Sequence, residues 1–96
     1  MPADVDPEFY DRADAHTNLS NDQMAQVARG KVSASMLYGT TRFNAWVSAT
    51  GFESSEEMKQ AREETIKYFV AEYEKTLAEN LDDYIEHFDK YMKLAH

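Results

Sequence analysis

Residues 54–96 read SSEEMKQAREETIKYFVAEYEKTLAENLDDYIEHFDKYMKLAH, with neither glycine nor proline. Met58, Arg62, Ile66, Phe69, Tyr73, Leu77, Leu81, Tyr84, Phe88 and Met92 recur at steps of three and four, the period of one helical face. Ser54, with Glu57 three residues on, forms the pattern of a capping box. Glu63 with Lys67, Glu86 with Lys90 and Asp89 with Lys93 stand four apart, where opposite charges support a helix. The stretch predicts one helix from Ser55 onward.

Working outward, Gly51 marks the end of a preceding helix. Its stripe is Val32, Met36, Gly39, Phe43, Val47 and Thr50. Gly30, after Arg29, reads as the close of the first helix, and Asp6-Pro7 as its N-cap and first position. The first stripe, Phe9, Ala13, His16, Ser20, Met24 and Val27, is weak in its middle. Ser20-Asn21-Asp22-Gln23 resembles a second cap, where the helix would bend or restart. The expectation is an all-α chain, a single helical domain over 1–96 with a flexible N-terminus at 1–6. Helices at Pro7–Ala28, Val32–Thr50 and Ser55 onward would form a three-helix antiparallel core with a long C-terminal helix. Small residues four apart (Ser35 and Gly39; Thr41, Ala45 and Ala49) favour close backbone approach. They make the middle helix the expected buried centre, where Gly39→Leu would overpack.

Composition excludes several functions. Apolar residues make up 43%, enough for a core, and Gly (3) and Pro (2) are too scarce for a small all-β fold. Cys is 0, so neither a disulfide frame nor a thiol catalyst exists. A net charge of −8 argues against nucleic-acid binding. Met1 to Asp6 lack the basic and apolar blocks of a secretory signal, and no apolar run would span a bilayer. The expected location is cytoplasmic, with no membrane partner.

Arg29-Gly30-Lys31-Val32-Ser33-Ala34-Ser35-Met36-Leu37-Tyr38, continuing through Arg42-Phe43-Asn44-Ala45, resembles a family of short proteobacterial proteins. So do Phe9-Tyr10-Asp11-Arg12-Ala13-Asp14-Ala15 and Leu81-Asp82-Asp83-Tyr84-Ile85. The family is domain-of-unknown-function family thirty-one forty-four, and the resemblance covers nearly the whole chain. It implies a bacterial, soluble, helical protein. It carries no activity and no assigned site.

The chemistry-bearing residues are few. Asp83 and His87, four apart near Glu79 and Glu86, could ligate a divalent ion. A di-metal bundle needs Glu-x-x-His from two helices, and the chain has none, so a solvated charged face is preferred. His16 reads as a partly buried, hydrogen-bonded side chain rather than a general base. No nucleophile elbow and no glycine-rich phosphate loop occurs. The expectation is therefore no enzyme, no catalytic residue, no metal and no cofactor. Arg29, Lys31 and Arg42 lie in a stretch, Gln23 through Phe52, without Asp or Glu, and are candidates for an anion or a partner's acidic residue. Arg42 is placed to stack on Trp46. From Glu53 to His96, 12 acids and 6 bases leave −6, an acidic face best read as solubilising.

Length adds a constraint. Straight, Ser55 to His96 would measure about 60 Å, whereas a compact domain of this size is only about 30–35 Å across. The apolar stripe beyond Asn80 would lack cover in a monomer. Either the helix breaks near Asn80 and folds back as a fourth helix, or it pairs with the same segment of a second chain. The stripe stays in phase through Glu79-Asn80-Leu81-Asp82, which favours a homodimer with Leu81, Tyr84, Ile85, Phe88 and Met92 at its interface. The expected function is self-association and protein-partner binding without catalysis. The alternative is a metal- or small-anion-binding helical bundle.

Overall fold

Five helices follow one another: α1 (Phe9–Gln23), α2 (Arg29–Ala49), α3 (Ser55–Gln60), α4 (Arg62–Glu86) and α5 (Phe88–Leu94). The computed structural model describes residues 6–94, and side chains up to Lys93. The all-α expectation holds, with no strand among the described residues. Of the expected flexible N-terminus only Asp6 is described; residues 1–5 and the end of the chain at 95–96 lie outside. The chain divides into two compact units, Met1–Val47 and Ser48–His96.

In the first unit α1 starts at Phe9 with Glu8 as its N-cap and without a side-chain capping bond, so Asp6 and Pro7 are not the cap and first helical position expected; Asp6 instead holds the turn before the helix. Its Oδ1 accepts from the Glu8 amide at 3.0 Å, and its Oδ2 takes Arg12 Nη2 at 2.7 Å. That hydrogen bond to Arg12 holds the Asp6 carboxyl below its ordinary range. The first helix ends at Gln23 rather than Ala28. The amides of Ala25 and Gln26 turn back to Asp22 and Gln23, so the cap-like Ser20–Gln23 run marks its end. Gly30 does not end a helix; it is the second residue of α2, whose first amides bond to Ala28 O. Ser20 Oγ donates to Met36 Sδ at 3.2 Å, joining α1 to α2.

Val32, 4% exposed, is the one buried residue among those described. The middle helix is therefore not a buried centre: Met36, Phe43 and Val47 are 41%, 63% and 45% exposed. A Cβ built on Gly39 meets nothing within 4 Å, so no backbone packs there. The small hydroxyl residues turn to their own helix. Ser35, Thr40 and Thr41 donate to the carbonyls of Val32, Met36 and Tyr38 at 2.9–3.0 Å.

In the second unit Gly51 closes α2 as expected, its amide bonding to Ser48 O at 3.1 Å. Ser54, in extended backbone, accepts from the Glu57 amide at 3.1 Å and starts α3. The predicted single helix is then broken twice. At Ala61 (φ −92°, ψ 0°) the amide tightens onto Met58 O at 3.1 Å, a three-residue step. The second break is at His87 (φ −116°, ψ 31°). Asn80, the expected breakpoint, lies inside α4, and its Nδ2 donates to Thr76 O at 2.8 Å. A side chain bonded one turn back leaves the main-chain ladder in place.

Candidate interaction surfaces

The junction of α4 and α5 is the best-defined polar cluster. Asp83 Oδ2 accepts from the Tyr91 hydroxyl at 2.8 Å, and Oδ1 lies 3.1 Å from His87 Nδ1. The imidazole also lies 3.3 Å from the Asp83 carbonyl. The Asp83 carbonyl keeps its main-chain bond from the His87 amide at 3.0 Å, so the interruption lies in the backbone angles at His87 and is bridged by these side-chain contacts. One carboxylate thus clasps both sides of the break. The Tyr91 hydrogen bond, followed by His87, holds the Asp83 carboxyl below its ordinary range, and the same bond pushes the Tyr91 hydroxyl up. Tyr84 packs on Tyr91 with ring centroids 4.7 Å apart.

This pairing bears on the metal candidates. His87 and Asp83 are engaged with each other, both nearly half exposed. Among the described residues no three His, Asp or Glu side chains are grouped to hold an ion. His16 is exposed, not partly buried as expected.

Arg29, Lys31 and Arg42 all fall on α2, yet they do not converge. Lys31 and Arg42 stand about 16 Å apart along the helix axis at its standard rise. Arg29 projects from another side of the helix, since eleven residues separate Lys31 from Arg42 and thirteen separate Arg29 from it. Arg42 lies over Tyr38, 4.8 Å from the ring centroid, and not over Trp46, which stacks on Phe43 at 5.9 Å. The ion pairs among the described residues are Arg12 with Asp6, Arg62 with Glu63 and His87 with Asp83. None uses the three α2 bases or the four-apart pairs expected on the C-terminal helix.

The candidate interface residues are open. Leu81, Tyr84, Ile85 and Phe88 are 53%, 49%, 73% and 59% exposed, and Met92 is half-buried. The second unit also holds a shallow groove of about 370 Å³, floored by Gly51, Phe52, Ala61, Thr65, Tyr68 and Phe69. Periodicity alone hides it, because the groove forms where the helix breaks at Ala61. The signal was the pair of small residues, Gly51 and Ala61, set among aromatics. No described helix is long and apolar enough to cross a membrane.

Comparison with known proteins agrees with a helical fold of unassigned activity. The chain is similar to protein NB7890A from Shewanella sp., solved by NMR, at 35% identity and a TM-score of 0.76. The match covers 96% of this chain and 98% of that one. No curated protein matches. Residues 9–85 match the family described as "Protein of unknown function (DUF3144)", and the chain belongs to that family.

Proposed function

We propose that this chain works by association rather than catalysis, as a bacterial, cytoplasmic homodimer that presents a helical surface to a protein partner. In this reading residues 1–96 act as one domain. The helices make a three-helix antiparallel core, and a second copy completes the cover of the C-terminal segment.

One observation carries the reading: the apolar run Leu81, Tyr84, Ile85 and Phe88 stands at 49–73% exposure. Full burial of such a side chain from full exposure stabilises by about 1.5–3 kcal/mol, and roughly half to three quarters of that remains for these four, so together they favour an occupied surface. Exposed apolar patches of this kind mark interaction sites.

Light scattering coupled to gel filtration tests the proposal. The native chain should have twice its 11.1 kDa mass across the micromolar range. The double change Tyr84→Glu, Phe88→Glu should yield monomer or aggregate. A native protein that runs as a compact 11.1 kDa monomer overturns the dimer.

A further inference from the structure

The turn after α2 and the junction of α3 with α4 bring together the shallow groove, and every residue that lines it belongs to the second unit, Ser48–His96. The small residues Gly51 and Ala61 leave the space, while Phe52, Tyr68 and Phe69 supply an aromatic surface. Tyr68 and Phe69 meet edge to face, with ring centroids 5.1 Å apart at 80°. Phe52 and Phe69 are half-buried, whereas Tyr68 is 61% exposed.

One charged residue lines the groove, Glu64. It precedes Tyr68 by four residues on α4, so the carboxylate and the phenol ring share a helical face one turn apart. The Thr65 hydroxyl, also in the lining, donates to Ala61 O at 2.9 Å. The nearest bases on α4, Arg62 and Lys67, do not line the groove. Arg62 is held by Glu63 at 2.6 Å, and among the described residues no ion pair joins Lys67 to Glu64. The unit as a whole is acidic: 12 acids and 6 bases from Ser48 to His96 leave −6 with histidine neutral.

Aromatic rings beside a single carboxylate, in an acidic surround, select a cation. A neutral apolar side chain would cover the rings but take water from Glu64 without giving it a partner. A carboxylate or phosphate would meet Glu64 and a field of its own sign. Among cationic side chains a guanidinium fits best: its plane stacks on aromatic faces, its fork takes a carboxylate through two parallel hydrogen bonds, and it gives up water more readily than an ammonium. We infer that the groove takes an arginine side chain of a partner protein. Its guanidinium pairs with Glu64 and stacks on Tyr68, and its aliphatic stem lies over Phe52 and Phe69. This rests on the partner binding proposed above and not on the dimer.

Nitrogen-15 NMR titration of the full chain with N-acetylarginine amide tests it at constant ionic strength. N-acetylcitrulline amide, of the same shape without the charge, and N-acetyllysine amide run alongside. The arginine probe should shift the amides of Gly51, Phe52 and Thr65 saturably, with a Kd of about 1–10 mM for one small ligand in an open groove. The lysine probe should bind about threefold more weakly and the citrulline probe about tenfold more weakly. Glu64→Gln should raise the arginine Kd about two- to fivefold, and Tyr68→Leu by about as much. Glu72→Gln removes the same charge from a residue outside the lining and should leave it unchanged. A citrulline probe that binds like arginine, or a Glu64→Gln variant that binds like the native chain, overturns the cation site; a lysine probe that binds like arginine overturns the choice of guanidinium. Absence of saturable shifts at these amides up to about 50 mM probe overturns the groove as a binding site. Light scattering on the same samples reads the dimer separately, so a monomer that still binds the arginine probe upholds the groove while overturning the dimer.

Discussion

Gly39 offers a test in which the structure reverses the sign expected from sequence pattern. It lies mid-way along α2, on the stripe that should press against a neighbouring backbone. The structure leaves the site open: a Cβ there meets no atom within 4 Å. Gly39→Ala then adds no clash, and the helix gains the propensity difference, about 0.8–1.0 kcal/mol per residue in a helix interior. Part of that gain comes from the narrower unfolded ensemble. For a chain of this size each kcal/mol moves the melting temperature by about 4–8 °C, so a rise of about 3–8 °C is expected. Gly39→Leu should stabilise as well, by slightly less. Thermal melts by circular dichroism at 222 nm read this directly, at one protein concentration so that association contributes equally. A drop of 1 kcal/mol or more for Gly39→Ala would show a backbone packed on Gly39 and refute the open site.

Three further outcomes follow from single contacts. Ser54→Ala removes the acceptor for the Glu57 amide and should cost about 1 kcal/mol in the same melts, while Ser54→Asp should be nearly neutral; no effect would place the start of α3 elsewhere. The Asp83 carboxyl is depressed, so its clasp is present above the ordinary carboxylate pKa of about 3.9 and is lost as pH falls through its lower folded value. The Tyr91 hydroxyl is raised, so at the alkaline end the clasp persists past the ordinary tyrosine value of about 10 and is lost only above it; near-ultraviolet dichroism of the tyrosines should follow both limits. Tyr91→Phe removes the largest cause of the Asp83 shift and should return that carboxyl toward its ordinary range in a carbon-13 titration, with an unmoved value refuting the clasp.

Local chemistry was readable in the sequence. The three-and-four spacing from Met58 to Met92 requires a helix, because only that period gathers those side chains on one face. Ser54 was readable as a cap because its oxygen reaches the amide three residues on from an extended backbone, a geometry set within four residues. Gly51 closed α2 for a similarly local reason, whereas α1 started two residues later than Asp6-Pro7 implied. What the pattern could not supply was any outcome decided by contacts between particular side chains. His87 interrupts the last helix with no breaker present, and Asp83 bridges the break through the His87 ring and the Tyr91 hydroxyl, contacts that no periodicity reports. Asn80, the weaker helix former, continues the helix, its side-chain amide donating to the Thr76 carbonyl. Arg42 chose Tyr38 over Trp46, although both lie four residues away and the spacing is symmetrical. Exposure too was undecidable from periodicity: a stripe states which side chains share a face, and only the folded chain leaves Val32 buried while Ile85 and Phe88 stay open.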